Sequence, residues 1–299
     1  MRIGLALGSG GLRGAAHIGV LSELDRAGIN IDMIAGTSAG SVIAVMYARG
    51  MTAEQIEERA LTLAARDIID PTGSTLMYLI APTFLFFLGW RRLLPKGILR
   101  GTKLEAFIRR ELGEIKMSDL KIPCAVVSVD IHTGDKIVFT SEASRVKAGK
   151  QTCYFDEHVA DAVRASCSIP GVFVWKEWRG RCLVDGAIRE PVPARVLKEM
   201  GCDYVIAVDL GYTGQADEKV DGLPSVVAQA LDVLGEEVSD YVLANYADIV
   251  IKPRLYNVAL TDTSRIPECI DAGRRSAQEM IPAIRRALRR RVISRIALL

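Results

Sequence analysis

"DMIAGTSAGSVIAV", residues 32–45, decides the fold. An apolar stretch, Met33–Ala35, runs into a serine set between Gly36 and Gly40, and small and apolar residues follow. A strand that breaks sharply into a helix needs this composition: β-formers, then residues with little or no side chain at the turn, then helix formers. The G-x-S-x-G spacing has two readings at this point. The glycines serve only a tight turn, or the turn exists to display Ser38 at a helix N-terminus, where backbone N–H groups favour developing negative charge.

Working outward, "RIGLALG" (2–8) reads as a buried strand and "GLRGAAHIGVLSELDRAG" (11–28) as a helix. After the second helix stops at Gly50, Thr52 and Gln55 form a capping box for a third, and "TKLE" (102–105) repeats that signal before "AFIRREL". This βαβα start predicts a parallel sheet covered by helices. "KIPCAVVSVDIHTGDKIVFTS" (121–141) predicts a hairpin turning at "HTGD". A polar helix is expected around 158–167, then a second hairpin, "SIPGVFVWKEWRGRCLVDGA" (168–187), closing at Asp185. "YVIAVDL" (204–210) and "DIVIKP" (248–253) predict further strands, with a helix over 224–246 between them and helix from Pro267 to about Leu298. There is no internal repeat and no linker, so the expectation is one α/β domain over 1–299. It carries an apolar insertion near 70–100 and a basic helical C-terminal region, 266–299.

Composition narrows the function. Apolar residues make up 49% and charged residues 25% of the 299, the balance of a folded protein. Residues 274–299 hold eight Arg and one Glu, a net of +7, leaving −5 for the preceding 273. So uneven a charge points to an anionic surface, membrane or nucleic acid. No aromatic platform accompanies it, so nucleic-acid binding is not expected. Six scattered cysteines without a CxxC pair, and three histidines, argue against zinc and for free thiols in a reducing compartment. No cofactor or metal is expected. The N-terminus lacks a secretory pattern, which gives the expectation of a cytoplasmic protein, peripheral on the inner membrane face.

Three short motifs carry the chemistry. "GSGGLRG" (8–14) lies between a strand and a helix and could converge amides on an anion. Dinucleotide binding would need glycine where Arg13 stands and an acid ending the second strand, and both are missing. "GTSAG" (36–40) is the elbow. "DGA" (185–187) sets an aspartate at the mouth of a strand before a glycine that admits another backbone. The three histidines offer no obvious base: His17 reads as a helix-packing residue, while His132 and His158 lack a supporting acid.

Taken in order, with "ASCSIPGVF" (165–173) ahead of the aspartate, these motifs resemble the patatin-like phospholipase family over residues 2–210. The resemblance implies a three-layer α/β/α fold with a mainly parallel central sheet. It further implies a Ser38–Asp185 dyad without histidine, acting through an acyl-enzyme on lipid esters of the phospholipase A or lysophospholipase type. Gly10, Gly11 and Ser9 would form the oxyanion hole, supported by Gly8, Arg13, Gly14, Gly36, Gly40, Gly186 and Ala187. The chain departs from the family pattern at Ser9, where that loop commonly has glycine. A lipid acyltransferase, a neutral-lipid esterase and a membrane-associated regulatory protein remain alternatives. "LMYLIAPTFLFFLGW" (76–90), uncharged and rich in Phe, suits buried core or a membrane-dipping insertion. "MIPAIRRALRRRVISRI" (280–296) carries an apolar stripe, Ile281, Ile284, Leu288 and Val292, that either packs inward or lies on anionic lipid.

Overall fold

A computed structural model describes residues 1–73, 96–142, 151–211, 223–255, 258 and 262–296. The apolar run 76–90 lies outside the described residues. Strand β1 (Ile3–Leu7) leads through a 3-10 turn (Gly11–Ala15) into α1 (Ala16–Arg26), and β2 (Met33–Thr37) leads into α2 (Ala39–Arg49). After α3 (Ala53–Thr62) and α4 (Thr102–Leu112) come β3 (Cys124–Asp130), β4 (Lys136–Thr140), β5 (Gln151–Phe155) and α5 (Val159–Ser166). Next are β6 (Lys176–Trp178), β7 (Arg181–Asp185), α6 (Ala194–Glu199), β8 (Tyr204–Val208), α7 (Leu223–Tyr246), β9 (Ile249–Ile251) and α8 (Ile266–Ile296).

The sheet runs β5-β4-β3-β2-β1-β8-β9, with β7 on β3 and β6 on β7. Its centre, β3-β2-β1-β8-β9, is parallel throughout. The central strands are apolar except for Thr37, Ser128 and Asp130 near the strand ends, because helices cover both faces. Alternation sorts the side chains. Leu5, Leu7, Ile34, Val126 and Ile206 pack with the core under α1, α2, α3 and α8, while Ala6, Ala35, Ala125 and Ala207 face α6 and α7. The result is a three-layer α/β/α arrangement, the fold the sequence predicts.

Both predicted hairpins form, β3/β4 and β6/β7. The Thr52–Gln55 capping box is made in both directions. Two expectations are corrected, and one strand went unpredicted. No capping box starts α4: its N-cap is Gly101, and Asp70, 32 residues upstream of Thr102, accepts from the Gly101 and Lys103 amides and the Thr102 hydroxyl. The predicted polar helix is α5, and it is buried along most of its length, Arg164 and Ser166 included. Strand β5, short and half-exposed, carries no pattern that the sequence reading detected. In α8 the stripe packs inward, with Ile284 fully buried and Ile281 and Leu288 against the core; the Val292 side chain lies outside the described residues. Three of the α8 arginines bind the body of the protein: Arg274 reaches Glu57, Arg285 donates to Ala27 O and Arg291 reaches Asp248. Among the described residues no helix is long and apolar enough to cross a membrane.

Candidate active site

Ser38 sits at the point where β2 becomes α2, with φ 53° and ψ −126°. Among the described residues only Asp156 and Arg179 share a positive φ without being glycine. A serine held in a sparsely populated conformation must be over-determined by its surroundings, and the bonds are visible. The Ser38 amide donates to Ser166 Oγ at 2.8 Å, and Ser166 Oγ donates in turn to Val127 O at 2.6 Å. On the helix side, the Ser41 amide and hydroxyl both donate to Ser38 O, at 2.8 and 2.6 Å. The turn also demands bare backbone: a Cβ on Gly40 would stand 2.2 Å from Leu7 O.

The partner carboxylate arrives on the same ladder. Thr37, the last residue of β2, pairs with Val127 of β3, and Asp185, the last residue of β7, pairs with Ser128. Since β4 occupies the other edge of β3 over Ala125–Val129, β2 and β7 share one edge and meet C-terminus to C-terminus. Residues 38 and 185, 147 positions apart in sequence, therefore leave the sheet at the same place. A Cβ built on Gly186 lies 3.1 Å from Thr37 Cγ2, which shows how closely the two strand ends approach. Ser38 and Asp185 are 4% and 3% exposed. The Asp185 amide donates to Ser168 O, and its Oδ1 accepts from the Ala187 amide at 2.9 Å.

The first glycine loop packs directly on the elbow: a Cβ on Gly14 would stand 2.5 Å from the Ala39 Cβ. Its donors are not equivalent. The Gly8 amide is bonded to Val208 O and the Ser9 amide to Pro191 O at 2.8 Å. Ser9, expected as a third oxyanion donor, therefore spends its N–H on the fold. The Gly10 and Gly11 amides have no acceptor among the described residues. Arg13 turns back on the loop, its amide and Nε both donating to Gly10 O. His17 Nε2 lies 2.8 Å from Gly8 O; a carbonyl only accepts, so Nε2 carries the proton. Burial pushes His17 down to about 4, against a smaller opposing contribution from that bond, so the ring is neutral and acts as a strut under the loop. His132 is exposed in the β3–β4 turn and His158 precedes α5.

Ser38 opens into a cavity of about 550 Å³ walled almost wholly by apolar side chains. Ala39, Val42, Ile43 and Met46 line one side, all from one face of α2, so the cavity follows that helix for two turns, about 11 Å. Cys167 also lines it, near enough to bond the Ser38 and Ser41 hydroxyls. Burial, reinforced by the Asp185 charge, pushes its thiol up to about 12. The thiol therefore stays protonated at neutral pH.

A family profile described as patatin-like phospholipase matches residues 5–198. The chain belongs to the patatin-like phospholipase family. It is 32% identical over 232 residues to an NTE family protein of Mycobacterium tuberculosis, an alignment covering 77% of this chain and 55% of that one. It is 31% identical over 220 residues to human patatin-like phospholipase domain-containing protein 6, covering 72% of this chain and 14% of the human protein. Against the VipD crystal structure from Legionella pneumophila the TM-score is 0.48 at 14% identity, covering 94% of this chain and 66% of VipD. The chain thus spans about half the length of its mycobacterial relative.

Sequence reasoning missed several residues of this patatin-like site. Ser166 shows no signal beyond a small residue in "ASCSIP", yet it holds the elbow amide. Arg164, 3% exposed, donates to Ser168 Oγ, Arg100 O and Val174 O, fastening residues 100 and 174 beside the cavity. An arginine with carbonyl and hydroxyl acceptors reads as a surface residue until its neighbours are known.

Proposed function

We propose that the protein is a serine lipid acyl hydrolase in which Ser38 is the nucleophile, Asp185 the base, and the Gly10 and Gly11 amides the oxyanion donors. The carrying observation is that a serine in a strained elbow faces a long apolar cavity, with a buried carboxylate on the abutting strand end. Family membership and the name of the human relative support lipid esters as substrates. The cavity suits a fatty acyl chain: its volume falls in the ordinary ligand range of about 300–1,000 Å³, and it offers almost no hydrogen-bonding partners.

In the first step the Ser38 Oγ–H proton passes to the Asp185 carboxylate as Oγ bonds to the ester carbonyl carbon, and the carbonyl electrons move to the oxygen facing Gly10 and Gly11. The C–O bond to the alcohol then breaks, and the leaving oxygen takes the proton from Asp185. Water repeats the sequence on the acyl-enzyme, giving its proton to Asp185 and releasing the fatty acid as Ser38 recovers its hydrogen. A carboxylate serves as base because the proton transfer is concerted with attack on the carbonyl. The phospholipase A or lysophospholipase type belongs to this proposal, as does peripheral membrane binding, which exposed Leu61 and Ile98 near the cavity support.

A fluorophosphonate probe tests the assignment. Mass spectrometry should find the adduct on Ser38, and Ser38→Ala should lose labelling and ester hydrolysis together. Asp185→Asn should remain folded and lose about 10³-fold or more in kcat. An adduct on another serine, or normal turnover in either variant, refutes the dyad.

A further inference from the structure

The chain between β7 and α6, "GAIREPVP" (186–193), follows Asp185 and bonds to the residues preceding Ser38 and Gly10, without lining the cavity. It starts on Asp185 itself, and the Glu190 amide donates back to Gly186 O at 2.9 Å. The Glu190 carbonyl accepts from the Thr37 hydroxyl at 2.9 Å, the residue just before the nucleophile. The Pro191 carbonyl accepts the Ser9 amide at 2.8 Å, just before the Gly10–Gly11 pair. Adjacent peptide units thus hold the elbow strand and the oxyanion loop, and a third point of the same segment carries the carboxylate.

What fixes this strap is a charge pair. The Glu190 side chain is 2% exposed; its Oε1 accepts from the Val196 amide at 3.1 Å and its Oε2 from Lys136 Nζ at 2.5 Å. Lys136, at the start of β4, pairs across the ladder with Val129, one residue beyond the partner of Asp185. Among the described residues Glu190 is the only carboxylate bonded to Lys136. A buried ion pair is a poor source of stability, because desolvation consumes most of its attraction and an apolar pair of equal volume serves as well. An apolar pair, however, leaves the orientation of the Glu190 and Pro191 carbonyls free. Two directed bonds on one carboxylate leave one arrangement.

We infer that the Lys136–Glu190 pair is a positioning device, which sets the strap so that Thr37 and Ser9 hold Ser38 and the Gly10–Gly11 amides in reactive register with Asp185. The inference rests on the proposed Ser38–Asp185 mechanism. Neither residue meets substrate, so their removal acts on the geometry of the transition state and leaves the acyl cavity unchanged.

The test compares wild type, Glu190→Gln and Thr37→Val by thermal melting, by kcat and KM on p-nitrophenyl butyrate, and by the rate of fluorophosphonate labelling at Ser38. Gln keeps the shape and the Val196 bond but removes the charge that Lys136 seeks; Val keeps the Thr37 shape and removes only its bond to the strap. Expected are a kcat and a labelling rate each about ten- to a hundred-fold lower in folded Glu190→Gln, with KM within about two-fold. Thr37→Val should show a smaller fall in the same two quantities. Wild-type labelling at Ser38 that is matched within about two-fold by every folded variant overturns the positioning role, whatever happens to the melting temperature. If Glu190→Gln does not fold, Thr37→Val decides alone. Absence of labelling in wild type refutes the hydrolase mechanism instead, which separates the two failures.

Discussion

Acidification should loosen the glycine loop through His17. Its ring is fully buried, donates to Gly8 O, and titrates at about 4 in place of its ordinary 6.5. At about 1.4 kcal/mol per tenfold change, that difference corresponds to about 3 kcal/mol. The direction follows from which state takes the proton first. Between pH 6.5 and 4 the unfolded chain protonates His17 and the folded chain does not, so unfolding gains free energy as pH falls. The stability supplied by the neutral ring is complete above pH 6.5, diminished by about 2 kcal/mol at pH 5, and lost as pH passes through 4. Carboxylates titrate in the same range, so the measurement is a difference. Urea unfolding of wild type and His17→Gln, whose amide can donate to the same carbonyl, is followed from pH 7.5 to 4.5. The stability of wild type relative to the variant should be flat above about pH 7 and fall by about 2 kcal/mol at pH 5. A relative stability constant to within about 0.5 kcal/mol over that range would refute the buried neutral strut.

Three further outcomes are expected. Gly40→Ala drives a methyl into the Leu7 and Gly8 carbonyls, at 2.2 and 2.7 Å, and should cost about 3 kcal/mol or more, read as a melting temperature lower by about 6 °C or more. Asp70→Ala removes the distant cap of α4 and should cost about 1–2 kcal/mol, with faster hydrogen exchange at Gly101 and Lys103. Met46→Trp, two helical turns along the cavity from Ser38, should lower kcat/KM for a palmitoyl ester by about tenfold or more while a butyryl ester stays within about threefold. Equal loss on both esters would mean that the chain does not run along α2.

The parts of this protein legible in its sequence are those with local causes. Apolar runs at 3–7, 33–37 and 204–208 announce buried parallel strands because both faces are covered. Glycines at 36, 40 and 14 announce close approach because nothing larger fits. The three motifs meet at the candidate site because each closes its own strand. What escaped had distant causes. Thr102 looks like a cap, but the cap is Asp70, and nothing near residue 102 reveals it. Ser9 looks like a donor until Pro191, 182 residues later, claims its amide. Arg164, Ser166 and Glu190 are polar letters whose burial depends on partners in other elements. Their residue types alone argue for solvent.

The meeting of β2 and β7 on one edge of β3 has a consequence for how the molecule fails. Side chains alternate along a strand, so a slip of β7 by a single step would swing the Asp185 carboxylate to the opposite face of the sheet. No half-slipped arrangement exists between those two. Damage to this short seam should therefore divide a preparation into fully competent and wholly inert molecules, and a burst titration would count fewer working copies, each turning over at its normal speed.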